Sequence, residues 1–283
     1  MKFICKELPG QSFETQDEMF KAIADNMESI LIVRKNAFKE TDGLTFYYID
    51  EIKEDSVTKA NNPVNTPDLT ELKVKVVMNT IGLLDSHGDV HIKDMWKRSL
   101  SHSDRKLHLQ EHKRDFDKVI ADDSLAYVST LSWKTLGAPY EGSTQALIFE
   151  SVVKQTRNKE MFNQYKNGWV KNHSVGMQYS DIRYCMNSEL DWAKEYKANW
   201  DKYYPMIANK EDADKRGYFT AVLEAKLVEG SAVLFGSNWI SPTLDNNMKN
   251  DPESPSDKNE TVDPSKDTQQ PDEQKQLVNL NFY

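Results

Sequence analysis

Ser174 lies in a segment whose residue types could support nucleophilic chemistry. Along residues 174–179 small or polar residues alternate with apolar ones, which is the period of a β-strand and sends the two sets to opposite faces. Ser174 is therefore predicted on an open polar face, and Gly176 leaves the backbone beside it uncovered. A serine hydroxyl there could attack a peptide bond if a base lay beside it. The alternative is an ordinary strand serine.

Two histidines are candidates for that base. Leucines alternate with polar residues over the segment 107–112, so a strand would place His108 and His112 together on its exposed face. An imidazole titrates near neutral pH and can take a proton from a serine hydroxyl and return it to a leaving amine. His173 is a weaker candidate, because the strand neighbour of Ser174 points to the opposite face.

One carboxylate interrupts an apolar run. Glu229 lies within the strand-like segment 219–235, where a buried carboxylate is costly unless it is paired. Two interpretations stay open. Either Glu229 reaches solvent at a strand edge, or it meets a cation or an imidazole.

A second group of candidate ligands lies near the start of the main domain. Its members are Asp85, His87, Asp89 and His91. A strand would project all four to one face, and two carboxylates with two imidazoles suit a divalent metal. A turn around Gly88 would instead separate them, and no metal would then be expected.

Composition narrows the class of protein. The chain has 283 residues and a net charge of −9, and without a basic stripe this charge argues against nucleic-acid binding. No segment resembles a signal peptide, and no apolar run approaches membrane-spanning length, so neither a leader nor a membrane span is expected. Cys5 and Cys185 are too far apart in sequence for a metal-binding motif and fit a reducing compartment. A soluble intracellular protein without membrane or nucleic-acid partners is predicted.

Three regions are predicted along the chain. Residues 1–70 form an extension, with a helix that starts at a capping box over residues 15–18, a strand at Leu44–Asp50 and a polar linker. Residues 71–244 form the main domain, which carries a helical insertion at 187–216. From residue 245 to 283 the sequence is acidic and contains prolines, which predicts a disordered tail ending in a short apolar docking peptide.

Four segments, taken in order, resemble the prohead maturation proteases of tailed phages, which are serine peptidases related in fold to the herpesvirus assemblins. They are similar to the family's D-x-x-G-D-V element, its strand ending in the catalytic histidine, its S-[IV]-G-[FM] strand and its E-V-S-x-V-x-x-P-A-N ending. The segments are Asp85–Val90, Leu109–His112, Asn167–Met177 and Glu229–Asn238. The resemblance covers about Leu72 to Leu244. The chain departs from the family pattern at His173, Gly230, Gly236 and Ser237.

The resemblance implies an α+β fold, mainly an antiparallel β-barrel of assemblin-like type with surrounding helices. It implies Ser174 as nucleophile, His112 as general base, with His108 as the alternative base, and Glu229 as the carboxylate that orients the imidazole. No cofactor and no metal are implied. The implied substrates are the major capsid protein, the scaffold and the chain itself. Cleavage would occur inside the assembling prohead in the host cytoplasm, and a homo-oligomer is compatible with it.

Two other functions stay open. One is a metal-dependent hydrolase that uses the aspartates and histidines of residues 85–91. The other is a non-catalytic capsid assembly or scaffolding protein, in which the acidic tail and its terminal apolar peptide bind the partner.

Overall fold

The computed structural model describes residues 2–37, 69–101 and 105–247. Contacts group Met1–Met248 into one compact unit. The predicted strand at Leu44–Asp50 and the sequence beyond Asn247 lie outside the described residues. None of the helices in these three ranges is long and apolar enough to cross a membrane.

In the described ranges, eight strands form a single sheet, and most of their pairs are antiparallel, as expected. The long strand β7 pairs antiparallel with β6 along one edge, while the short strands β2 and β3 share its other edge in parallel. The sheet then continues antiparallel through β4, β5, β1 and β8. The strands are β1 Glu71–Thr80, β2 Asp89–His91, β3 Lys106–Gln110, β4 Val119–Ser132, β5 Ser143–Lys154, β6 Asn172–Met186, β7 Tyr218–Val233 and β8 Thr243–Asn247.

The sheet is open, so the expected closed barrel is wrong. No ladder joins β6 to β8 in the part of the chain that the structure describes. Irregular chain occupies the gap between β6 and β1 instead. Ser241 Oγ accepts a hydrogen bond from the backbone N–H of His173 at 3.2 Å, and the carbonyl of Pro242 accepts one from Val77 N at 2.9 Å. These contacts satisfy backbone groups that strand pairing would satisfy in a barrel.

Six α-helices accompany the sheet in the part of the chain that the structure describes. The capping box is confirmed, because Thr15 caps α1 and Glu18 bonds back to the Thr15 N–H. The apolar spacing over residues 19–31 predicted one helix, whereas Asn26 separates α1 from α2. The helices are α1 Gln16–Asp25, α2 Met27–Asn36, α3 Lys97–Leu100, α4 Lys159–Lys166, α5 Lys194–Tyr203 and α6 Lys210–Arg216.

The segment 187–216 contains helices, as predicted, and the aromatic residue Trp200 packs inside the protein. The ring of Trp200 lies 5.0 Å from that of Tyr204 and 5.1 Å from that of Phe219 on β7. At the other end of the main domain, β8 continues to Asn247, three residues past the expected end of the domain. Its backbone pairing with β1 orders these polar residues.

Candidate active site

Strand pairing brings the three family-implied residues to one end of β7. In the β6–β7 ladder, Ser174 lies opposite Ser231 and Gly176 lies opposite Glu229. Residues opposite each other in an antiparallel pair share a face, with Cβ atoms about 5 Å apart. Strand β3 pairs with the same end of β7, along the edge of β7 opposite to β6. The residues that follow β3, among them His112, therefore lie beside this face.

His112 and Glu229 are joined by a short hydrogen bond inside the protein. His112 Nδ1 lies 2.6 Å from Glu229 Oε1, and both side chains are buried. Because a carboxylate only accepts hydrogen bonds, Nδ1 carries a proton, and in the neutral imidazole Nε2 is the nitrogen with the lone pair that can accept one. Glu229 is only 2% exposed, so of the two interpretations left open, the one that pairs it with an imidazole is confirmed.

Ser231 connects the acid to the base. Its Oγ donates to Glu229 Oε2 at 2.7 Å and accepts a hydrogen bond from the backbone N–H of His112 at 3.2 Å. Both oxygens of Glu229 are thereby bonded, which offsets much of the cost of burying the charge. No role was predicted for Ser231 from the sequence, although its spacing of two residues from Glu229 within a strand places both side chains on one face.

The turn after β3 places His112 and corrects the prediction that His112 belongs to that strand. The strand ends at Gln110, and Glu111 and His112 both take positive φ, 52° and 54°. Left-handed backbone costs non-glycine residues about 1–2 kcal/mol each. The bond from Glu111 N to the carbonyl of Ala232 (2.9 Å) helps to hold the turn. Strained backbone of this kind is frequent at functional sites.

His108 lies elsewhere, so the expectation that it shares an exposed face with His112 is wrong. The side chain is fully buried, with Nδ1 3.1 Å from Ser151 Oγ and Nε2 3.1 Å from the Tyr165 hydroxyl. The turn at Glu111 breaks the period of two that would have aligned the histidines. His108 therefore belongs to a separate buried network.

In that network, the donor and the acceptor of each hydrogen bond can be assigned consistently. His173 Nδ1 donates to the carbonyl of Ser241 at 2.9 Å, so its Nε2 must accept from the Tyr165 hydroxyl at 3.0 Å. Tyr165 in turn accepts from His108 Nε2, and His108 Nδ1 accepts from Ser151. Burial lowers the pKa of His173 to about 4 and, together with the nearby His173, holds the pKa of His108 well below its usual value. Both imidazoles are neutral and structural.

Tyr165→Phe tests this network. The substitution leaves a nitrogen of His108 and one of His173 without this partner, so the free energy of unfolding should fall by about 1–3 kcal/mol. Urea denaturation measures it. Tyr204→Phe is the control, because among the described residues that hydroxyl makes an exposed bond to Asp214 at 3.1 Å. Its loss should cost about 0.5 kcal/mol or less. Equal losses in the two variants would contradict the assignment.

Ser174 is buried rather than on an open strand face. Its relative exposure is 6%, which corrects the expectation from the polar alternation. The preceding residue fixes the local backbone, because Ser241 Oγ donates to the carbonyl of His173 at 2.6 Å and accepts from its N–H. The His173 side chain points away from Ser174, as predicted. Its ring forms a hydrogen bond with Tyr165.

Packing explains two of the departures from the family pattern. A Cβ on Gly230 would lie 2.7 Å from Met78 Cε and 2.7 Å from Phe149 Cε2, and one on Gly236 would lie 2.8 Å from the carbonyl oxygen of His173. Such contacts are too short for a side chain without a shift of the neighbours. Glycine at these positions therefore fits the close packing around the strand ends.

The second candidate cluster is only partly assembled. Ligand atoms of Asp85, His87 and Asp89 lie within 4.8 Å of one another. His91 does not join them, since its Nδ1 lies 2.8 Å from Asn79 Nδ2. The predicted turn is present, with Gly88 N donating to the carbonyl of Asp85 at 2.9 Å. The turn excludes only His91, however, and the expectation that it would separate all four side chains is wrong.

Charged and hydroxyl groups of the protein already bind this cluster. Arg34 of α2 forms a buried ion pair with Asp89 and a second with Glu7, at 3.0 Å. The Tyr179 hydroxyl donates to the other oxygen of Asp89 at 2.6 Å. Burial, and then the neighbouring Asp89, raise the pKa of Asp85. The guanidinium supplies the positive charge that a metal would otherwise bring.

Comparison with known proteins found no family model, no curated protein and no solved structure that matches this chain.

Proposed function

We propose that this chain is a serine endopeptidase in which Ser174 is the nucleophile, His112 the general base and Glu229 the carboxylate that orients the base. The observation that carries the proposal is the buried 2.6 Å bond between His112 Nδ1 and Glu229 Oε1, beside the strand pair that presents Ser174. An acid that orients a base next to a hydroxyl is the arrangement that activates serine.

The geometry supports a two-stage reaction. In the first stage His112 Nε2 takes the proton of Ser174 as Oγ bonds to the substrate carbonyl carbon, and the carbonyl electron pair moves to oxygen. His112 then gives the proton to the amide nitrogen, the C–N bond breaks and the amine leaves. In the second stage His112 takes a proton from water as the water oxygen bonds to the ester carbon; the carbonyl then re-forms, the bond to Ser174 Oγ breaks, and His112 returns the proton to Oγ, which releases the acid product.

Glu229 and Ser231 keep the base ready for this cycle. The carboxylate holds Nδ1 protonated, so the lone pair on Nε2 faces the reaction, and its negative charge stabilises the imidazolium that forms. Ser231 holds the second carboxylate oxygen and the backbone of His112 at the same time. The acid and the base therefore keep a fixed relative position.

We infer that the substrates are capsid and scaffold proteins of a phage prohead, and that the enzyme also cuts itself. The four ordered segments that resemble the prohead proteases support this inference, and three of them supply the residues of the site. The acidic sequence beyond Asn247 is the expected region of self-cleavage. The reaction would take place inside the assembling shell in the host cytoplasm.

A covalent probe tests the peptidase proposal. A fluorophosphonate should add to Ser174 of the full chain, with the mass increase located by peptide mass spectrometry, and the chain should cleave a reduced, unfolded test protein. Ser174→Ala should do neither. A chelator should leave both reactions unchanged.

Two results would contradict the proposal. Labelling and cleavage that persist in Ser174→Ala would remove Ser174 from the mechanism. Cleavage that stops only with chelator would favour the metal-dependent alternative at Asp85, His87 and Asp89, which is less well supported because Arg34 already pairs with Asp89.

A further inference from the structure

Two large apolar side chains stand in solvent next to the proposed catalytic residues. Leu234 is 73% exposed and Phe235 is 56% exposed. They follow Val233, the last residue of β7, which pairs with Asn172 at the start of β6. The two side chains therefore lie just beyond the end of the ladder that carries Ser174.

The exposed position of Leu234 is held from both sides of the site. Its backbone N–H donates to Glu111 Oε1 at 2.7 Å, and its carbonyl accepts from Asn172 Nδ2 at 2.9 Å. Glu111 immediately precedes His112, and Asn172 lies two residues before Ser174. Residues close in sequence to the base and to the nucleophile thus also position Leu234.

The chain after Phe235 is equally constrained. A Cβ on Gly236 would lie 2.8 Å from the carbonyl oxygen of His173, so the backbone passes close to β6 directly after Phe235. The carbonyl of Ser237 then accepts a hydrogen bond from Ser86 N at 3.2 Å. A pair of largely exposed apolar side chains on a segment anchored at both ends is typical of a binding surface.

We propose that Leu234 and Phe235 form an apolar rim that binds an apolar side chain of the substrate polypeptide near the scissile bond. The inference rests on the proposed peptidase function and names its substrate preference. Ser174 is itself only 6% exposed, so an incoming peptide needs contacts at the edge of the site before its carbonyl reaches the hydroxyl. A rim of two side chains is too small for a stable dimer interface, which needs about 800 Å² per partner.

The test is a comparison of cleavage selectivity. The full chain is first given a library of unstructured peptides, and the cleaved sequences identify the apolar position next to the scissile bond. Two peptides are then compared, one with leucine and one with serine at that position. The double variant Leu234→Ser and Phe235→Ser should lose about 10-fold in kcat/KM for the leucine peptide, mainly through KM, with little change for the serine peptide.

Leu125→Ser is the matched control, because Leu125 is 61% exposed but lies on β4; it should keep the selectivity of the parent chain. Substitutions at exposed positions rarely unfold a protein, and circular dichroism verifies this for each variant. If the double variant keeps the preference for leucine and cleavage still requires Ser174, the rim proposal is wrong and the proposed peptidase function stands. A parent chain without any Ser174-dependent cleavage overturns the proposed function and the rim together. A fall in oligomer size only in the double variant, measured by light scattering, reassigns the rim to self-association.

Discussion

His112→Ala is expected to lower kcat about a million-fold, as loss of the base does in other serine peptidases. Without the imidazole, no group accepts the Ser174 proton as the new bond forms, and none protonates the leaving amine. The measurement is the rate of cleavage of an unfolded protein or of a peptide found in the library. KM should change little, because His112 acts in the transition state rather than in peptide binding.

His108→Ala is the matched control for this prediction. Its ring is bonded to Ser151 and Tyr165 rather than placed at Glu229, so turnover per folded molecule should stay near that of the parent chain. The variant should nevertheless be less stable, because a buried network is broken. The folded fraction must therefore be measured by circular dichroism in the same samples. Loss of turnover in folded His108→Ala, together with activity in His112→Ala, would exchange the two assignments.

Glu229→Gln is expected to lower kcat about ten-thousand-fold, as for the corresponding substitution in another triad. Glutamine has the same shape, so the chain should fold. It carries no charge to stabilise the imidazolium, and if its amide nitrogen turns toward His112, it forces the proton onto Nε2. The loss should be smaller than in His112→Ala, since Glu229 acts only through the imidazole.

Glu224→Gln on the same strand is the control for charge removal from β7. Glu224 is partly exposed and pairs with Arg98 at 3.2 Å, so this variant should keep the parent rate. Turnover of Glu229→Gln that also matches the parent would show that the buried carboxylate has no role in the reaction. The short His112–Glu229 bond would then be only a structural contact.

Local features could be predicted from the sequence because they depend on neighbouring residues. The capping box before α1, the strand that carries Ser174 and the helical insertion follow from hydrogen-bonding residue types and from periods of 3.6 and 2. The same reasoning failed for His112. A period of two assigns side chains to a face only while the strand continues, and the left-handed backbone at Glu111, which no glycine signals, ends it.

The sequence by itself determined the elements, their order and a short list of residues able to do chemistry. Only the tertiary structure decided which of these residues meet. His112 and Glu229 are 117 positions apart, and their contact depends on β3 pairing with β7. Ser174 reaches the same end of β7 because β6 pairs with the opposite edge. The open sheet and the burial of Ser174 were likewise decided only by the tertiary structure. Strand partners and burial are set by packing between distant segments, and the periodicity of a single segment contains no information about its partner.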